Sequence, residues 1–124
     1  MTEIKWLDIP EEHDYPAAES YLSLIYNWNE INNEITGITK KLKSSPVVKF
    51  KAKDIFRASG LSLLDGKNSH VHKDIKKIDN GEKLSPLLLV RDTNNGKVVI
   101  ADGYHRLCAV YSYDEDAIIP CKIF

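Results

Sequence analysis

Two apolar runs, "PLLLVR" from Pro86 to Arg91 and "VVIA" from Val98 to Ala101, flank the polar stretch "DTNNGK". No other feature constrains the fold as much. Runs this short, apolar and rich in branched residues read as strands, and Asn95-Gly96 supplies the positive φ values that a tight hairpin turn needs. Because neither run alternates with polar residues, both faces of each strand must be covered. A chain of 124 residues has the length for one domain with such a core.

The rest of the chain supplies the cover. Pro16 at the N1 position, the first of the helix, opens a segment on which Ala18, Tyr21, Leu22 and Ile25 recur at helical spacing. Ile31, Ile35, Ile38 and Leu42 form a second stripe, interrupted at Gly37 and closed by Ser44-Ser45-Pro46. "VVKFK" alternates as a half-buried strand, Val48 and Phe50 on one face and Lys49 and Lys51 on the other. "AKDIFRASG" is a short helix ending on Gly60 as a left-handed cap. Ser69 or Asn68 caps a helix with Val71, Ile75 and Ile78 inward and Gly81 as its stop. After a helix from Gly103 to Tyr113, "AIIPCKIF" returns as a last strand. The expected class is α+β, a small mixed sheet with packed helices, preceded by N-terminal helices.

Charge and cysteine content narrow the function classes. The net charge is −1, which makes a general nucleic-acid coat unexpected, and no apolar run is long enough to cross a bilayer. The first residues lack the basic start and apolar stretch of a signal peptide, so a cytoplasmic location is expected. The segment up to Glu34 is acidic, and that from Lys40 to Arg57 basic. This asymmetry either packs the two segments together or marks an anion-binding surface, and the packing reading is favoured. Cys108 and Cys121 lack ligand spacing and read as free buried thiols, with a regulatory disulfide as the alternative.

The stretch "VVIADGYHRLCAVY" carries the chemistry. It places His105 and Arg106 in the first turn of a helix, where cations are unfavourable by a few tenths of a kcal/mol to about 1 kcal/mol unless a negative partner is present. Asp102 reads as the N-cap of that helix, and Gly103 permits the turn. The backbone amides of Gly103 and Tyr104, with the Arg106 guanidinium, suit a phosphate or carboxylate. The rival arrangement is an internal salt bridge from Arg106 to an acid of the N-terminal segment. Lys73 and Lys77, one turn apart, either add charge to an anion site or are simply solvated. His70 lies on the same side as Lys73 and Asp74. A metal site is not expected: His70 and His72 do not share a helix face, and His13 and His105 would have to converge from afar.

"DGYHRLCA" after an apolar strand, preceded by "LSPLLLVR" and by the glycine-terminated "KKIDNG", resembles the ParB/sulfiredoxin superfamily domain over about residues 47–124. Residues 1–46 then form a helical extension of the same domain. The resemblance implies that Gly103, His105 and Arg106 contact nucleotide phosphates. The form "DGxHR" is most similar to that of the superfamily's free-serine kinases, where the turn takes part in ATP binding. Tyr104 stands where sulfiredoxins carry their catalytic cysteine, so sulfinic acid repair is not expected. With no helix-turn-helix region after Phe124, neither is chromosome partitioning. The implied function is nucleotide or phosphate binding, with Mg²⁺ as possible companion. Phosphoryl transfer or hydrolysis would use Asp102 or His105 as proton or Mg²⁺ handlers, with Lys73, Lys77 and His70 at the phosphates. The alternative is a non-catalytic ligand-binding or protein-interaction module, with the N-terminal aromatics Trp6, Tyr15, Tyr21, Tyr26 and Trp28 as its surface, or a homo-oligomer.

Overall fold

A computed structural model describes residues 3–26 and 37–124. In chain order the elements are β1 (Lys5–Trp6), α1 (Asp14–Ile25), α2 (helical over 37–44), β2 (Val48–Lys51) and α3 (Ala52–Ser59). They continue as α4 (Ser69–Asp79), β3 (Lys83–Leu84), β4 (Leu87–Asp92), β5 (Lys97–Asp102), α5 (Tyr104–Tyr113) and β6 (Ile118–Ile123). The main sheet has the order β2-β6-β4-β5. Its β2/β6 and β4/β5 pairs are antiparallel and its β4/β6 pair parallel, which makes it a mixed sheet with helices packed on it, an α+β fold.

The unbroken apolar run of β4 is explained by what lies on each side of it. Leu87 and Leu89 join Ile100 and buried residues of α3, α4 and α5 in one core cluster. Leu88 and Val90 join Ala101 and the buried residues Tyr15, Ala18, Leu22 and Leu42 in another, against α1 and α2. The central strand is therefore covered twice, and the N-terminal helices provide one of its two covers.

Several local expectations hold. Gly60 ends α3 at φ +68. The Asn68 side chain caps α4, its Oδ1 accepting from the amides of His70 at 3.0 Å and Val71 at 3.2 Å. Val71 and Ile78 are buried and Ile75 partly so, as their spacing requires.

Other expectations are corrected. The hairpin loop runs over four residues between Asp92 and Lys97, and only Gly96 has a positive φ, +65. Asn95 donates to Asp92 through both its backbone amide and its Nδ2, so the turn closes by hydrogen bonds that hold Asn95 out of the left-handed region. On α1, Tyr15, Ala18 and Leu22 face the sheet, while Tyr21 and Ile25 are exposed. The helix begins two residues before Pro16, and that earlier start carries Tyr15 inward. Gly37 is helical, the first described residue of α2; Ile31, Ile35 and Trp28 lie outside the described residues. Phe50 stays 36% exposed on β2, an edge strand of the sheet. The short parallel pairing of β1 with β3 has no signal in the sequence pattern. Nor does the burial of Lys122, whose Nζ donates at 2.6 Å to Lys43 O and anchors the carbonyl end of α2 to β6. Both thiols are free and buried, and burial pushes that of Cys121 up to about 12.

Candidate functional site

The β5–α5 junction is shaped by a bulge and a glycine. The β4/β5 register shifts between Leu88 and Leu89, so that Asp102 sits opposite Leu88 instead of Leu87. An extra residue of this kind re-aims the side chain that follows it. Gly103 then turns the chain at φ +111, a conformation side chains rarely adopt. A Cβ there would lie 2.7 Å from Leu87 Cγ and 2.9 Å from Arg106 Nη2. The close approach of β4 and Arg106 therefore demands glycine twice over.

Asp102 is not the N-cap of α5. Gly103 occupies that position, no side chain caps the first turn, and the Asp102 carboxylate accepts from Arg106 Nη2 at 2.8 Å instead. Asp102 lies one residue outside the cap position, and its carboxylate meets a full positive charge in the Arg106 guanidinium rather than the partial charge of an amide.

The negative partner of Arg106 is supplied by the chain itself. Besides Asp102, its Nη2 lies 3.8 Å from Asp14 Oδ2 and 3.4 Å from the Pro86 carbonyl. Asp14 is buried at the start of α1, where Ser85 Oγ donates to its Oδ2 and accepts from the Glu11 amide at 3.1 Å. His13 Nε2 lies 3.3 Å from the other Asp14 oxygen. Arg106 thus takes the internal ion-pair arrangement, tying α1, the loop before β4 and α5 together. Its buried Nε has no hydrogen-bond partner among the described residues. Burial raises the pKa of Asp102 despite the opposing charge of Arg106.

The remaining candidate residues converge. His70, Lys73, Asp74 and Lys77 form one stripe of α4, with Val71 and Ile78 on the buried side. This stripe and residues Asp102 to Arg106 line a single polar cleft of about 200 Å³. Every residue singled out from the sequence for the site is therefore in its wall. Inside it the His70 and His105 rings lie 4.7 Å apart, and the Tyr104 ring is 5.5 Å from that of His105. The Tyr104 hydroxyl donates to the Ser62 carbonyl and pins the loop between α3 and α4 against the turn.

The electrostatics of the cleft are mixed. Burial holds Asp74 above the usual carboxylate range, against the pull of Lys77, Arg106, His105 and Lys73. Burial, helped by His70, lowers the pKa of His105, and Asp74 opposes this. The neutral imidazole of His105 is thereby favoured. Asp74 completes the wall at a spacing of four from His70 and three from Lys77, a helical pattern already visible in the sequence. Asp14 and Ser85 had no such signal, because only the tertiary fold brings them to Arg106. Among the described residues no three His, Cys, Asp or Glu side chains gather to hold a metal ion, and no helix is long and apolar enough to cross a membrane.

The fold and cleft define a small α+β domain with a polar hollow at a strand-turn-helix junction. No family model, curated protein or solved structure matches the chain.

Proposed function

We propose that the cleft between α4 and the start of α5 binds the phosphate of a small anionic ligand, a nucleotide being the class that the likeness to ParB/sulfiredoxin domains implies. The observation that carries this reading is convergence. Lys73 and Lys77 of α4, the paired rings of His70 and His105, and a first turn of α5 without a side-chain cap border one hollow. Helix-start amides that no side chain caps, beside two lysines, favour an anion. Arg106 lines the hollow too, but with one nitrogen committed to Asp102 it acts chiefly as the support that holds the turn.

The carboxylates fit a divalent ion arriving with a nucleotide. Asp74 suits it better than Asp102, which already accepts from Arg106, and Mg²⁺ bound this way would neutralise phosphate oxygens. A second reading, phosphoryl transfer or hydrolysis, is favoured by the shifted pKa values of Asp74, Asp102 and His105 in one cleft. In it His105 or Asp74 would move the proton.

Thermal melting with pyrophosphate, ADP or ATP, each with Mg²⁺ or with EDTA, tests the binding. Ligand at about a hundred times its Kd stabilises the native state by about 2.7 kcal/mol, so the wild type should melt several degrees higher. Lys73→Ala/Lys77→Ala should abolish that shift and melt like the wild type without ligand, because neither lysine is in the core. No shift with any of the three ligands overturns the proposal. Release or transfer of phosphate from a bound nucleotide decides for the catalytic reading, and binding without turnover for the module.

A further inference from the structure

A second hollow, of about 440 Å³, lies beside the polar cleft and differs from it in character. Ala17 and Tyr21 of α1, Leu61 after α3, and Ile100 and Ala101 of β5 give it apolar walls. The turn residues Asp102 to His105 border both spaces. We infer that this hollow receives the planar apolar part of a phosphate ester whose phosphate sits in the cleft, an inference that rests on the anion reading proposed above.

Three observations support the assignment. First, Tyr21 and Leu61 are each 41% exposed although apolar, and both line this one hollow, from different elements. Second, the His105 ring lies 4.7 Å from that of His70 and 5.5 Å from that of Tyr104; His70 lines the cleft, and Tyr104 and His105 line both spaces. Such rings offer faces and edges to another planar group. Third, the charged groups are segregated. Lys73, Asp74 and Lys77 border only the cleft, and among the described residues the one carboxylate that reaches the hollow, that of Asp102, is held by Arg106. A molecule charged at one end and flat and apolar at the other matches this division. The volume falls within the usual range of small-molecule sites, about 300–1,000 Å³. Because α1 builds one wall, the N-terminal segment is part of the site as well as a cover for the sheet.

Isothermal titration of the full chain with inorganic phosphate, 1-naphthyl phosphate and 1-naphthol tests the inference. The wild type should bind the naphthyl ester about tenfold or more tighter than inorganic phosphate, from the apolar area removed from water. Ala17→Leu fills the hollow from an exposed helix position and should erase that advantage while leaving the affinity for inorganic phosphate as it was. Tyr21→Ala, at a second exposed position, should reduce the advantage severalfold and serves if the leucine variant melts lower. Equal affinity for the two phosphates in the wild type overturns the inference but not the anion cleft. So does an advantage that survives both substitutions, or 1-naphthol binding as tightly as its ester. If neither phosphate binds, the cleft reading falls and takes this inference with it.

Discussion

Replacing Arg106 by alanine should unfold this protein more readily than any substitution of the cleft lysines, and the structure indicates by how much. The guanidinium neutralises Asp102 at 2.8 Å and lies 3.8 Å from Asp14, two acids on different elements that are both largely withdrawn from water. Removing one member of a buried ion pair costs about 3–5 kcal/mol, chiefly from the charge left behind. Asp102 keeps some exposure and Asp14 retains Ser85 and His13, so the lower end applies, about 3 kcal/mol. For a domain of 124 residues that corresponds to a fall in Tm of about 10 °C. The loss should depend on pH. Without Arg106 the pKa of Asp102, already raised by burial, rises further. A carboxylate whose folded pKa exceeds its unfolded value leaves the native state relatively most stable below the unfolded value, and stability is lost as pH rises through the window between them. Urea denaturation of wild type and Arg106→Ala at pH 4.5 and 8 should therefore show the larger deficit at pH 8. Arg106→Ala/Asp102→Asn should recover about 1–3 kcal/mol relative to additivity. A deficit below about 1 kcal/mol at pH 8, with additive single substitutions, would refute the view that Arg106 is spent on internal neutralisation.

Gly103→Ala should cost about 2–4 kcal/mol, from the unfavourable φ of +111 together with the overlap with Leu87, and shows as a lower urea midpoint; an unchanged midpoint contradicts the close approach of the turn to β4. The thiols of Cys108 and Cys121 are both shielded, with pKa values raised by burial, so a chromogenic disulfide reagent should label neither in the native state and both in urea. Rapid stoichiometric labelling of the native protein would contradict that burial.

What could be read from the sequence was what local chemistry decides. The apolar runs around "DTNNGK", the Asn68 cap and the Gly60 terminus each depend on residues a few positions apart, and each was legible. The face of α1 was not. Tyr15, Ala18, Tyr21, Leu22 and Ile25 make two overlapping apolar stripes, and only contact with Leu88, Val90 and Ala101 selects Tyr15, Ala18 and Leu22 over Tyr21 and Ile25. The same limit applies at the site. Lys73 and Lys77 reach one cleft wall because helical spacing puts them there. Asp102 read as a cap although its partner, Arg106, is only four residues on: both roles are local, and the choice between them falls to the bulge in β5 and the turn at Gly103, which spacing alone does not show.

That partnership changes how the cations at the start of α5 should be understood. A helix start disfavours positive charge, yet His105 and Arg106 both occupy the first turn. Each is relieved differently. Arg106 is neutralised by Asp102 and approached by Asp14, so the dipole penalty is offset within the fold, and the guanidinium becomes a strut between α1 and α5. His105 is held toward the neutral form by burial and by the His70 ring, so it adds little charge near neutral pH. The positive potential left for a ligand then comes from Lys73, Lys77 and the helix amides, offset in part by Asp74 between the two lysines. Support and recognition are carried by different residues, which is why the lysine pair can be removed without the stability cost that attends Arg106.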